Sequence, residues 1–371
     1  MNVLILSANT GQGHNSCARA LKDVFDEHGD QCGICDALAF VSSVMSRFVT
    51  RMHLEMYRKA PGAFSWGYGV SEKHSGIYGK KSPLYLFFRK GAKHLEEYIE
   101  KGNYDVVIAC HVFAAVMLTA AEKIRRKNIR TAFTATDYTC SPSVDQSALD
   151  CYFIPDKSLM DEFISKGIPE NRLYPTGLPV RKEFFSSINK AEAKTELGIS
   201  PDHKHLIIMC GSMGCGPMEK LAIKLSSLLT ADQEASIICG SNNKLKAKLE
   251  KKLAKDSRFH IYGYVDNMHL FMDSADLYLT KPGGISVTEA AAKRLPMVFV
   301  NTVSGCEEYN CSFFTGCKGA VCKETVDDLA NECLLLLADD GRRALMADAL
   351  SKVYTGNPAQ EIYKILTSQL K

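Results

Sequence analysis

No stretch of this 371-residue chain approaches the run of about 18–20 uncharged apolar residues that a helix needs to span a bilayer. Its first residues, Met1 to Ser7, lack a basic region and a small-residue cleavage site, so they read as a buried strand and not as a secretory signal. Charge of one sign is scarce too: the net charge of +3 gives a nucleic-acid partner little support. Only 12 prolines occur and no low-complexity tract is present, which excludes the biased compositions of linkers and disordered chains. Cysteine is plentiful at 14, but the spacing that would give it a metal is missing. Cys32 and Cys35 have no second pair at zinc spacing, and the group Cys306, Cys311, Cys317 and Cys322 has no histidines near it. The expectation is a reduced, cytosolic protein with no metal.

Present instead is a regular alternation. Apolar strand-like runs occur at Val3–Ser7, Val106–Cys110, Thr131–Thr136, Cys151–Ile154, His205–Cys210, Ala235–Cys239, Phe259–Tyr262, Leu277–Thr280 and Met297–Val300. Helical patterns separate them, among them Cys17–Glu27, Ala115–Lys127, Met218–Leu229, Lys244–Lys255 and Val287–Lys293. Such alternation predicts an α/β fold of parallel sheets covered by helices on both faces. After Pro175–Val180 and the polar stretch Ser186–Asp202 the pattern restarts with a strand and a glycine loop. Two Rossmann-like lobes are therefore expected, 1–182 and 183–357, with a terminal helix, 358–371, apolar on one face.

Three glycine-rich turns close three of the strands. The first contains Gly11, Gly13, His14 and Asn15; the second contains Gly211, Ser212, Gly214 and Gly216. The third runs Lys281-Pro282-Gly283-Gly284 into Ser286, Thr288 and Glu289. Glycine lets backbone approach a ligand closely, and free N–H groups at a helix start attract phosphate. Ligands of open parallel sheets gather at these carboxyl ends. A helix starting near Ser286 points its N-terminus and the Ser286 and Thr288 hydroxyls at a diphosphate, with Glu289 placed to accept from ribose hydroxyls. Downstream, Glu307 and Asn310 offer groups to sugar hydroxyls. The first loop has Ser16 where a dinucleotide fingerprint needs its third glycine, which argues against an oxidoreductase.

These pieces resemble the family 28 glycosyltransferases, and within them the diacylglycerol glucosyltransferase and monogalactosyldiacylglycerol synthase branch. The resemblance is carried by Gly11-Gln12-Gly13-His14-Asn15 with Ala18, Thr136-Asp137-Tyr138, Thr176–Val180, Gly263–Met268, and Lys281–Gly284 with Thr288-Glu289. It implies the GT-B architecture, two lobes facing across a cleft, with the donor on the second lobe and the last helix returning to the first. It implies a UDP-sugar as substrate and an inverting transfer to diacylglycerol without a metal. It places uracil at Tyr264 and Val265, the diphosphate at Gly211, Ser212, Gly284 and Ser286, the ribose at Glu289 and a sugar hydroxyl at Glu307. The general base is expected at His14, whose ordinary pKa lies near neutrality, the rival reading being that His14 only orients the acceptor or an anionic lipid headgroup; Asp137 is the second choice for the base, and His111 is expected to line the acceptor pocket. A transferase of N-acetylglucosamine to a polyprenyl-linked precursor and a UDP-sugar-binding regulator are the competing readings.

One region stands apart. Between Arg47 and Lys93 there are ten Lys/Arg against two Asp/Glu, interleaved with nine aromatics. Basic and aromatic side chains mixed in this way suit docking on an anionic bilayer, where diacylglycerol resides. Lys80, Lys81, Arg89 and Lys90 are the expected charges, and Trp66, Phe87 and Phe88 the apolar anchors. The enzyme is therefore expected on the inner face of the cell membrane, held peripherally. Each basic residue near such a surface contributes about 1 kcal/mol. Reversing Lys80→Glu and Lys81→Glu together reduces co-sedimentation with anionic vesicles by about an order of magnitude or more at low salt, with UDP binding unchanged. Sedimentation like the parent's assigns both lysines to an ordinary solvated face.

Overall fold

The computed structural model describes residues 1–8, 12–42, 83–121, 124, 129–300, 305–354 and 356–368, with backbone alone for 83–88. The chain divides into two compact units. The first takes Met1–Arg181, Val303–Tyr309 and Asn357–Lys371; the second takes Lys182–Thr302 and Asn310–Gly356.

In the first unit β1 (Asn2–Ser7), β2 (Gln31–Asp36), β3 (Val106–Ala109), β4 (Arg130–Thr134), β5 (Cys151–Phe153) and β6 (Leu173–Tyr174) form one parallel sheet, ordered β2-β1-β3-β4-β5-β6. The central strands are apolar throughout because helices cover both faces of a parallel sheet. Val3, Leu4, Ile5 and Leu6 of β1 and Val106, Val107 and Ile108 of β3 accordingly have no exposed surface. The last helix, Pro358–Ser368, belongs to this unit: Ile362 and Leu366 are buried, and the Tyr363 ring stacks on His28 at 3.9 Å.

The second unit repeats the plan with β7 (Lys204–Met209), β8 (Gln233–Ile238), β9 (Phe259–Tyr262), β10 (Leu277–Thr280), β11 (Met297–Val300) and β12 (Ala320–Lys323). The order is β12-β11-β10-β7-β8-β9, again all parallel. This is the doubly wound order of dinucleotide-binding sheets. Its core joins Leu206 and Ile208 of β7 to Leu221 and Leu225 of helix Met218–Ser226 and to Leu329, Cys333 and Leu336 of helix Val326–Ala338. The expected two-lobe α/β fold is present.

Three strands escaped the sequence reading, and all three lie at sheet edges. β2 reads Gln-Cys-Gly-Ile-Cys-Asp, β12 reads Ala-Val-Cys-Lys, and β6 has two residues. An edge strand has one flank in solvent, so it needs no continuous apolar run and leaves no such signal. The first helix also starts earlier than its periodicity suggests, at Gln12 instead of Cys17. Gly13, His14 and Asn15 therefore ride on its opening turn.

The amino ends of the second sheet are tied by a buried polar network. Asp276, just ahead of β10, pairs with Lys190 at 2.8 Å and Lys194 at 3.3 Å and accepts from the His205 amide at 2.9 Å. His205 itself is fully buried between Ser274 Oγ at 2.9 Å and Ser236 Oγ at 2.8 Å. Ser274 gives its proton to the Phe271 carbonyl, so His205 Nδ1–H donates to Ser274 and Nε2 accepts from Ser236. That pairing suits a neutral ring only. Burial pushes the His205 pKa down from 6.5 to about 3, with Asp276 opposing and Lys194 assisting. The unfolded chain therefore binds a proton that the folded one refuses. The associated stability is complete above about pH 6.5 and drains as pH falls toward the folded value. Between pH 6.5 and 5 the loss is about 2 kcal/mol from this group alone. Denaturant titrations of the His205→Gln variant show lower stability at pH 7.5 but a flatter dependence over that window; a parental slope in the variant assigns the acid loss elsewhere.

Candidate functional site

In each sheet the chain leaves the first strand to one side and later returns to the other, so the connections part at one place. Open α/β sheets bind ligands in that crevice, outside the carboxyl ends of the strands. In the first unit it lies between β1 and β3, where Leu6 pairs with Ala109 and the Cys110 amide donates to the Leu6 carbonyl at 2.9 Å.

Helix Gln12–Glu27 leaves β1 here and carries His14 over the end of β3. His14 Nδ1 lies 2.9 Å from the Cys110 carbonyl oxygen, which can only accept, so Nδ1 bears the proton. The lone pair of the neutral ring is then on Nε2. Thr136, beyond the end of β4, brings its Oγ1 to 3.1 Å from the same Nδ1 and within 3.4 Å of Asp137 Oδ2. The hydroxyl thus accepts from His14 and donates to Asp137. His111, beyond β3, caps helix Val112–Ala120 by accepting from the Phe113 amide at 3.1 Å, and its ring meets His14 edge-on at 4.5 Å. Asn15 Oδ1 accepts from Ser7 Oγ at 2.7 Å, which ties the helix start to β1. Three adjacent strands thereby deliver His14, His111 and the Thr136-Asp137 pair to one place. Gly11 lies outside the described residues; Gly13 is half-buried in the helix.

In the second unit the crevice lies between β7 and β10. Gly211 follows β7 with φ +70°, a conformation that favours glycine, and the Lys281 stem crosses so closely that a Cβ there would stand 2.6 Å from its Cε. Ser212, half-buried beside it, accepts through its carbonyl from the Ser241 amide at 2.9 Å, against Gly240 of the loop after β8. Gly240 has φ +56° and its Cβ would strike the Ser212 carbonyl at 2.1 Å. After β10, Gly283 caps helix Gly284–Ala292, whose opening N–H groups form the anion-attracting end. Ser286 and Glu289 are half-buried on this helix, and Ser286 Oγ lies 2.8 Å from the Tyr278 hydroxyl. Tyr264 is 62% exposed and Val265 half-buried on the turn after β9. Three strand spacings, about 14 Å, separate β9 from β10.

Two expected ligand contacts are corrected. Thr288 is fully buried and its hydroxyl donates to the Gly284 carbonyl at 2.7 Å, the backbone acceptor one turn back. Asn310 is likewise buried and its amide donates to the Pro282 carbonyl at 2.9 Å. Both hold the loop after β10 in shape and present no surface to a ligand. Glu307 is half-buried in the first turn of helix Cys306–Gly316 and groups with the first unit. Thr136 and Lys281 were not singled out as site residues by sequence reasoning, although both sit inside the quoted motifs. The Cys110 carbonyl, a backbone atom, carries no residue-type signal at all.

Of the residues expected to dock, Trp66, Lys80 and Lys81 lie outside the described residues, as do the side chains of Phe87 and Phe88. Helix Pro83–Gly102 exposes Arg89, Lys90 and Lys93 and buries Ala92, Leu95 and Ile99. Among the described residues no helix is long and apolar enough to cross a membrane.

Comparisons with known proteins agree with this layout. Residues 14–180 match the family model of monogalactosyldiacylglycerol (MGDG) synthase, and residues 201–352 match glycosyl transferases group 1. A protein of Bacillus cytotoxicus named processive diacylglycerol beta-glucosyltransferase is 27% identical over 371 residues, covering 99% of this chain and 93% of that protein. Among solved structures, Acinetobacter baumannii MurG has a TM-score of 0.64 at 15% identity, covering 99% of both chains. Staphylococcus aureus MnaA, solved with UDP, has a TM-score of 0.63 at 14% identity, covering 100% of this chain and 97% of that one. At such identities the structures establish a shared fold.

Glu289→Ala weakens UDP binding by about 1–3 kcal/mol, the worth of hydrogen bonds to a charged acceptor. Calorimetric titration of UDP checks it; parental affinity in a folded variant removes Glu289 from the ribose site.

Proposed function

Since this chain belongs to the glycosyltransferases that join an MGDG synthase domain to a group 1 transferase domain, we propose that it transfers a hexose from a UDP-sugar to the hydroxyl of diacylglycerol. The product is a glycolipid. The observation that carries the chemistry is the tautomer of His14, fixed by the Cys110 carbonyl at 2.9 Å. A general base needs an unprotonated nitrogen and a partner holding the ring in that state. Nε2 takes the acceptor hydroxyl proton as the oxygen attacks the anomeric carbon. The bond from that carbon to the UDP oxygen breaks in the same step, and configuration inverts.

Negative charge then grows on the departing diphosphate. Fixed dipoles aimed at developing charge stabilise it without reorganisation. The N–H groups opening helix Gly284–Ala292, the Gly211 and Ser212 backbone and the Lys281 ammonium beside Gly211 supply this compensation in our reading. Uracil is assigned to the Tyr264 and Val265 turn, ribose to Glu289 and a sugar hydroxyl to Glu307. Arg89, Lys90 and Lys93, exposed on helix Pro83–Gly102, support peripheral docking on the anionic inner face of the cell membrane. The name of the Bacillus relative favours glucose as the sugar and diacylglycerol as acceptor. The MurG likeness is one of fold and carries no substrate.

A donor-by-acceptor screen tests the reading: UDP-glucose, UDP-galactose and UDP-N-acetylglucosamine against diacylglycerol vesicles. Transfer to diacylglycerol is the expected result, and exclusive transfer of N-acetylglucosamine to a polyprenyl-linked acceptor overturns it. His14→Ala leaves UDP affinity nearly intact and lowers kcat about a hundredfold or more. Turnover within a fewfold of the parent removes His14 from the base role.

A further inference from the structure

The turn that carries Thr136 and Asp137 is gripped from outside by a pair of residues on helix Met160–Ser165 and its C-terminal cap. Glu162 Oε1 accepts from the Thr139 hydroxyl at 2.7 Å and from the Cys140 amide at 2.9 Å. Lys166, one helical turn on, donates to the Cys140 carbonyl at 2.6 Å and to Glu162 Oε1 at 3.3 Å. Both backbone groups of Cys140 are thus held by one ion pair. Within Thr136–Cys140 every side chain is buried except that of Asp137, so the turn has packing beneath it and the clamp on its flank. Fixed in this way, the turn brings Thr136 Oγ1 to 3.1 Å from His14 Nδ1.

We infer that Glu162, with Lys166, is a positioning residue that holds the Thr136-Asp137 turn against the His14 ring. The inference rests on the reading of His14 as the base. Glu162 touches neither His14 nor any reacting atom; it acts through Thr139, Cys140 and the chain between them and Thr136. A loosened turn withdraws the Thr136 hydroxyl from Nδ1 and frees the ring to rotate away from the orientation that the Cys110 carbonyl and Thr136 define together. His14 is faced by His111 and, through Thr136, by Asp137. A misplacement of about 1 Å in a catalytic group costs up to roughly a hundredfold in rate.

The test compares Glu162→Ala, Glu162→Gln and His14→Ala at a temperature where all are folded. Glu162→Ala lowers kcat about tenfold or more, leaves the KM for UDP-sugar and the Kd for UDP unchanged, and displaces the limb of the kcat/KM pH profile set by the base. Glu162→Gln, whose amide oxygen still accepts both bonds, restores most of kcat and the parental profile. Equal losses in the alanine and glutamine variants, or a parental kcat and profile in Glu162→Ala, overturn the inference. If Glu162→Ala does not fold, Lys166→Met, which removes only the bonds to Cys140 and Glu162, is measured in its place, with the same shift expected and a parental profile overturning the proposal. His14→Ala separates the two levels. An inactive His14→Ala beside a parental Glu162→Ala leaves the base reading intact and removes the clamp. An active His14→Ala overturns both.

Discussion

A parallel strand cannot follow its predecessor directly, because the chain must first return to the starting edge of the sheet. Both sheets here obey that constraint in two directions, growing outward from β1 on one side and then the other, and likewise from β7. The connections part between β1 and β3 and between β7 and β10, leaving a gap outside the carboxyl ends of each pair. The base and the diphosphate site proposed for this chain stand at those two gaps. His14 and His111 stand at the first, and Gly211 and Lys281 at the second.

Each gap is furnished by different physics. The second is made of backbone: glycines at positive φ, a helix start with unsatisfied N–H groups, and buried side chains such as Asn310 and Thr288 bonded inward to keep the loop in place. Such a surface suits a diphosphate, whose charge is spread over several oxygens. The first gap is made of side chains in series, from the Cys110 carbonyl to His14 and from Thr136 to Asp137. Such a chain suits the movement of a single proton, because each link fixes which atom holds it.

The opposite ends of the strands do other work. Asp276, Lys194, His205 and the serines around it lie at the amino ends of the second sheet, away from the crevice. A buried polar network of this kind is costly to break, because removing one member leaves its partners without water or protein to bond. Along the return of helix Gly284–Ala292, the buried pair Lys293–Asp273 at 2.8 Å does the same for the helix that opens the phosphate end. The buried network and the proposed phosphate site are thereby kept at opposite ends of the strands of one sheet.

Hydrophobic patterning alone determined two α/β units and nine of the twelve strands among the described residues, since a central strand buried on both faces must be apolar along its length. The motifs around His14, Asp137 and Lys281 likewise carried the resemblance to the family 28 glycosyltransferases. Tertiary structure decided the rest. The edge strands β2, β6 and β12 have too little buried surface to leave an apolar run. That Thr288 and Asn310 point inward while Ser286 and Glu289 stay at the surface depends on the path of one loop over its neighbours. The state of His14 depends on a carbonyl 96 residues away and a hydroxyl 122 residues away, brought beside it by the pairing of β1 with β3 and β3 with β4. A backbone oxygen is the same in every residue, so no sequence pattern can announce it, yet it sets which nitrogen of the histidine carries the proton.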